Sequence, residues 1–321
     1  MTKILKPVLP LMLLGASLLN AQEVRIASHV SALAPLYSQA KNFSSEVNSK
    51  VKTKHDFKIF PNAQLGKEKA LITNLKAGSL EMIVVASGIL KLDKKLGIFD
   101  LPWIFQDRAH VQRAMKAGLY DEVKKTIESN SENIKVLGIY ENGFRHIMNS
   151  KRAIETPRDL RGLKIRISGG KFRQDVFRKM GATPQKVAWK ETFTALQTGV
   201  VDGAEAATYG FYGQKHYEVL KYLSLTNHIY TPSFLLVSKK FFNSLSNEDQ
   251  KIFEEVGKSI TDAQYVEAAK LETKYFKDME GKVSINKINL PLFTKKVSKT
   301  YASYEKKFGK DWLEIINNTK E

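Results

Sequence analysis

Of the ten arginines in this 321-residue sequence, seven (Arg145, Arg152, Arg158, Arg161, Arg166, Arg173 and Arg178) fall within one stretch of 34 residues. A guanidinium presents a planar fork of donors that meets a carboxylate with two parallel hydrogen bonds, which the point charge of a lysine does not. That stretch is therefore where an organic anion would be held. Other chemistry is poorly provided for. There is no cysteine, which removes thiolate nucleophiles, disulfides and sulfur-ligated metals. The six histidines stand at 29, 55, 110, 146, 216 and 228 with no pair at helical ligand spacing, and no Gly-x-Ser-x-Gly, Walker or His-Glu-x-x-His motif occurs. No catalytic set, cofactor or metal is expected. Ser168-Gly169-Gly170, between a strand pattern and a helix pattern, fits either an anion cradle or a plain turn.

These residues need a scaffold to hold them. A composition of 43% hydrophobic and 26% charged residues is globular, and the length favours two domains with real cores. Lys3 and Lys6, the apolar run from Val8 to Leu19 and the small residue Ala21 before Gln22 read as a secretory signal peptide over residues 1–21. Its apolar run of twelve residues is shorter than the roughly 20 needed to span a bilayer. No later stretch is long and apolar enough to cross, so an exported, periplasmic protein without membrane insertion is expected. The formal charge is +18, or +16 without the two leader lysines. Lysines supply most of it, 41 against 10 arginines, and they are scattered as on a solvated face, which together with export argues against nucleic acid as a partner.

Strand patterns at 23–27, 56–60 and 80–86 alternate with helical patterns at 33–49 and 67–76, and this order predicts a parallel α/β sheet. The unit continues through a helix at 109–130 into a strand at 134–140. A second unit begins near residue 143, with strands at 145–149 and 163–167, helices at 172–180 and 191–199, and a strand at 233–238. No Gly/Ser/Pro linker separates the two, so strands should cross between them. Ser246 and Asp249 fit a capping box that opens one helix running toward Met279, long enough to brace both units. A strand at 283–289 and a closing helix at 292–317 complete the chain.

Several pieces, in this order, carry a family likeness: Pro61-Asn62-Ala63-Gln64-Leu65-Gly66, Ala77-Gly78-Ser79-Leu80-Glu81, Asp100-Leu101-Pro102-Trp103-Ile104-Phe105 and Gly143-Phe144-Arg145. They continue as Asp159-Leu160-Arg161-Gly162-Leu163-Lys164-Ile165-Arg166, Gly181-Ala182-Thr183-Pro184, the stretch from Ala195 to Glu205, and Thr226-Asn227-His228. Over nearly the whole chain beyond the leader, the sequence resembles the DctP-type solute-binding proteins of tripartite ATP-independent periplasmic (TRAP) transporters. The resemblance implies a two-domain periplasmic binding protein fold with a strand hinge and a long helix spanning both domains. Residues 22–142 with about 231–270 would form the first α/β domain, and 143–230 with about 271–321 the second. It also implies a monomer that captures a small organic acid in the interdomain cleft and delivers it to a membrane permease. A C4-dicarboxylate is the default ligand, an aromatic acid or sugar acid the alternative; an exported non-catalytic surface or adhesion protein is the remote one.

Carried over motif by motif, the resemblance puts Arg166 at the principal carboxylate clamp and Arg145 at a second position near the ligand. Each has another reading: Arg166 could pair with Glu205 or Glu191, and Arg145 could be structural. Trp189 would be a cleft wall or core packing, and His29, after the first strand, a ligand contact or a surface group. Glu205 would orient an arginine. His228 and Tyr230 would lie near the hinge, with His228 counted among the ligand-binding residues. Ala206 stands where many acid binders carry asparagine, leaving space that Tyr209 and Tyr212 could shape. Ala86, Gly88 and Ile89 replace polar and basic residues of sialic-acid binders, which speaks against sialic acid.

Overall fold

The computed structural model describes residues 22–321; the leader motif lies outside the described residues. In the first half β1 (Glu23–Ala27), α1 (Pro35–Lys50), β2 (Asp56–Phe60), α2 (Glu68–Lys76) and β3 (Met82–Val85) follow in turn. β1 pairs in parallel with both β2 and β3. Leu36, Ala40, Phe43 and Val47 give α1 an apolar stripe at helical spacing, which covers one face of the sheet. After 3-10 turns at Ser87–Lys91 and Lys94–Asp100 come α3 (Arg108–Ala114) and α4 (Tyr120–Ser129). A π turn at Met115–Leu119 splits the helix expected over 109–130.

β4 (Ile134–Asn149) then leaves the first half and enters the second. There β5 (Lys164–Ile167), α5 (Lys171–Met180), β6 (Thr183–Lys186), α6 (Thr192–Gln197), β7 (Gly203–Ala207) and α7 (Thr208–Gly213) repeat the α/β alternation. β8 (Tyr222–Ser238) returns antiparallel to β4, in register from Asn149↔Tyr222 to Ile134↔Ser238. The result is one nine-stranded sheet in the order β2-β1-β3-β8-β4-β7-β5-β6, with β9 (Ser284–Lys287) pairing β8. β4 and β8 are each one strand where the sequence suggested fragments. They are the two crossings, and the register of β4 shifts between Glu141 and Gly143 as it passes from one half to the other.

α8 (Lys239–Phe242), α9 (Asn247–Ser259) and α10 (Thr261–Met279) follow β8. Ser246 caps α9 by accepting from the Asp249 amide, which is one half of the expected capping box. The single long helix is not found: Ile260 interrupts it, so that α9 packs on β4 while α10 runs along the hinge. Tyr265 of α10 lies in a core cluster of the first half and Met279 in one of the second, so α10 alone spans both. The closing helix is three: α11 (Leu290–Val297), α12 (Lys299–Phe308) and α13 (Asp311–Asn317). Phe293 and Val297 of α11 join the second half's core. Tyr304, Trp312 and Ile316 pack instead with Leu96, Ile98 and Val111, so residues 299–317, expected in the second domain, complete the first. Among the described residues, no helix is long and apolar enough to cross a membrane.

Candidate functional site

Between the halves lies a cavity of about 320 Å³. The first half contributes His29, Ala63, Lys67, Glu68, Ala86 and Ser87; the second contributes Arg166, Ser168, Val187, Trp189 and Ala206; Asn142 and Arg145 come from the crossing strand β4. β5 reads Lys-Ile-Arg-Ile, and since side chains alternate across a strand, burying Ile165 and Ile167 in the core sends Arg166 to the opposite face. Arg166 is 3% exposed. Its Nε donates to the Val187 carbonyl at 3.0 Å and its guanidinium lies 5.0 Å from the Trp189 ring centroid. Among the described residues, no carboxylate comes within 4 Å of it and no acceptor meets Nη1 or Nη2. Burial pulls its pKa down to about 9, since the charge has been taken from water, and it stays protonated at neutral pH.

The two other buried arginines of the cluster, Arg145 and Arg173, are engaged. Arg145 donates from Nε to Glu205 Oε2 and from Nη2 to the Glu205 carbonyl at 2.9 Å, leaving Nη1 without a partner among the described residues. Glu205 is fully buried, and its Oε1 accepts from the Ser168 amide and from Arg173 Nη1, each at 3.2 Å. Burial opposes its ionisation, yet Arg145 and Arg173 hold its pKa well below the usual carboxylate range. Glu205 thus orients arginines and does not line the cavity. The other acid considered for Arg166, Glu191, pairs with Lys67 across the mouth of the cleft.

Of the residues singled out in sequence, Arg166, Arg145, Trp189, His29, Ala206 and Tyr209 line the cavity. His228 does not. It sits fully buried behind the site, edge-on to Phe177 at 5.2 Å and 2.7 Å from Thr226 Oγ1, and burial lowers its pKa to about 4. Tyr230 lies in the first half's core, where its hydroxyl donates to that of Tyr265, and Tyr212 stacks on Tyr275. Tyr209 donates to Asn142 Oδ1. His29 is kept neutral by burial, with Nε2 3.7 Å from Glu68 Oε1, which also accepts from the Ala86 amide at 3.1 Å.

Sequence reasoning missed Asn142, Glu68, Ser87 and four lysines, Lys67, Lys69, Lys186 and Lys190, that line the same cavity. One signal was available for two of them. Lys67 and Lys69 stand at the N-terminus of α2, where the helix dipole disfavours cations, so their presence there asks for a nearby anion.

Two α/β halves joined by crossing strands, closed on a cavity with a buried guanidinium that has no ion-pair partner among the described residues, define a solute receptor of the venus-flytrap kind. The chain belongs to the DctP family, described as "Bacterial extracellular solute-binding protein, family 7", whose profile matches residues 26–307. It is 32% identical over 238 residues to the 2,3-diketo-L-gulonate-binding periplasmic protein YiaO of Escherichia coli, covering 74% of this chain and 72% of that protein. It is 30% identical over 234 residues to the C4-dicarboxylate-binding periplasmic protein DctP of Vibrio cholerae, covering 73% and 70%. The crystal structure of a TRAP periplasmic solute-binding protein from Polaromonas, bound to D-erythronate, superimposes with a TM-score of 0.89 at 28% identity, covering 94% of this chain and 99% of that one. Proteins of this family are non-catalytic receptors working with TRAP permease subunits.

Proposed function

We propose that this chain, exported by its leader, captures a hydroxylated monocarboxylate of the sugar-acid class and hands it to a TRAP-type membrane permease. The observation that carries this is Arg166: buried, facing the cavity, with two nitrogens unspent and no carboxylate of the described protein beside it. A charge in that position is costly unless a guest anion neutralises it, and a carboxylate does so bidentately. The rest of the cavity supports a polyhydroxylated body. His29 Nδ1 and Asn142 Nδ2 line the cavity, buried and without a hydrogen-bond partner among the described residues, and can meet hydroxyls of such a body. YiaO and the erythronate-bound protein are named for ligands of this type.

A C4-dicarboxylate is the second reading. It is favoured by Arg145, whose unspent Nη1 shares the cavity with Arg166, and by the V. cholerae relative's ligand. Calorimetric titration with D-galactonate, D-glucuronate, succinate and malate separates the two. Tight binding of a sugar acid with succinate and malate weaker by at least tenfold supports the first, and the reverse order replaces it with the second. Either ligand requires the clamp, so Arg166→Ala should weaken binding by roughly 30-fold to several thousand-fold, from the ~2–5 kcal/mol lost when one partner of a buried charge pair is removed. Unchanged affinity in that variant would refute both.

A further inference from the structure

Arg173 is the largest fully buried cation among the described residues, yet it does not line the cavity of Arg166. It stands in the first turn of α5, whose Val176, Phe177 and Met180 belong to the core of the second half. Its strongest partner is in the other half. Nε donates to Asp100 Oδ1 at 2.9 Å and Nη2 donates to the same oxygen, while Asp100 ends the Lys94–Asp100 turn that packs Leu96, Ile98 and Phe99 in the first half's core. Nη1 divides its reach between Ser87 Oγ of the first half, at 3.5 Å, and Ser168 Oγ and Glu205 Oε1 of the second. One guanidinium therefore ties the two cores together and holds the acid that orients Arg145.

The backbone is shaped for this approach. Gly170 has φ +97°, and a Cβ there would stand 2.3 Å from Asp100 Oδ2, so only glycine lets the start of α5 come this close to the first half. The Ser168-Gly169-Gly170 turn thus has a use that needs no anion cradle. Phe172, next to Arg173, reaches the same way and packs against Tyr304 and Phe308, which cover the first half. The seam also separates the Arg166 cavity from a second one of about 330 Å³ between the halves, since Ser87 lines both and Arg173 and Asp100 line only the second.

We propose that Asp100 and Arg173 form an interdomain latch, made on closure, through which Arg173 acts as a positioning residue for the anion site. The inference rests on the receptor reading above and goes beyond it. In the closed form the Asp100 carboxylate fixes Arg173, Arg173 fixes Glu205, and Glu205 sets Arg145 along the cavity wall. When the halves part, Asp100 returns to water, where a lone carboxylate costs little, and Arg173 keeps Glu205 and Ser168 of its own half. The latch therefore stabilises the closed form selectively and biases the equilibrium on which capture depends.

The absence of native cysteine makes the test direct. Thr53→Cys and Gln197→Cys, exposed positions on the two halves and outside the cavity, carry spin labels that report closure. In this background Asp100→Asn, Arg173→Gln and the double variant are compared with the parent for closed fraction, with and without D-galactonate or succinate, and for ligand-free melting temperature. The latch predicts a smaller closed fraction in both single variants, a roughly tenfold faster ligand release, a double variant no worse than the poorer single one, and, for Asp100→Asn, which leaves the Arg173–Glu205 pair of the second half in place, a ligand-free melting temperature unchanged. A drop in ligand-free melting temperature of Asp100→Asn with unchanged closure means a pair made in both forms and overturns the proposal; so does a closed fraction equal to the parent's in every condition. If the parent binds neither acid, the receptor reading fails on its own, and the latch is judged on the ligand-free distance distributions.

Discussion

A buried side chain in this protein has consequences that depend on whether it found a partner. His216 found none: it is fully buried among Trp189, Phe193 and Phe211, and neither ring nitrogen has a hydrogen-bond partner among the described residues. Burial first, and then the field of Arg166, lower its pKa to about 3. A histidine with a depressed folded-state pKa adds stability above its unfolded value near 6.5, and that stability is lost as pH falls from there toward 3. At pH 5 the loss is about 2 kcal/mol. His228, with a pKa near 4, acts in the same direction over a narrower window. The expected outcome is a melting temperature that declines from pH 6.5 to 5 in the parent and declines less steeply in His216→Phe; an equally steep slope in that variant removes His216 as the cause. Arg166 gives a second prediction at this scale. Arg166→Lys keeps the charge and loses the fork, so its affinity for the preferred acid should stay well below the parent's, and full affinity measured by calorimetry would show that a point charge suffices.

Among the elements, the close seating of α9 on β4 decides a substitution whose sign propensity alone gets wrong. Glycine inside a helix costs about 1 kcal/mol relative to alanine, so Gly257→Ala in α9 looks stabilising. A Cβ at Gly257, however, would stand 2.3 Å from the Leu137 carbonyl oxygen of β4, and the Gly257 carbonyl accepts from the Tyr140 hydroxyl at 2.8 Å. The obstacle is backbone of a crossing strand and does not swing aside, and overpacking of this kind typically costs about 1–3 kcal/mol. Gly257→Ala should therefore lower the denaturation midpoint, and an unchanged or higher midpoint would mean that α9 can ride away from the sheet. What was legible in the sequence divides along similar lines. β1, β2 and α1 were readable because a regular apolar period serves a local purpose, and Arg166 because the motif it ends carries the family resemblance. β7 was not: Gly-Ala-Glu-Ala-Ala has little strand preference, and it is held extended by β4 on one side and β5 on the other. Residue type and spacing alone do not separate Arg166 from Arg145 and Arg173; only the resemblance ranks them. The three differ in whether Glu205 and Asp100, remote along the chain, come within reach.

The charge of the whole molecule bears on how a ligand arrives. A net +18 spread over 41 lysines reads as a solvated face, and most of these lysines are on the surface, but four are gathered at the cavity: Lys67 and Lys69 from the first half, Lys186 and Lys190 from the second. Lys67 is paired with Glu191, which leaves Lys69, Lys186 and Lys190 without an ion-pair partner among the described residues. Like charges converging on a low-dielectric cleft focus their field into it and raise the capture rate of an oppositely charged solute, a long-range effect that salt screens over about 8–10 Å. On the proposed reading the seated acid's carboxylate is held by Arg166 and the rim charges lie near solvent, so they contribute little to release. Association of the preferred acid, followed by stopped-flow Trp189 fluorescence, should therefore slow several-fold between low and high salt while release changes little. Lys69→Glu, Lys186→Glu and Lys190→Glu combined should slow association roughly tenfold and flatten that salt dependence. A variant that instead releases faster at an unchanged association rate would assign these lysines to direct contact with the bound acid and remove the steering role.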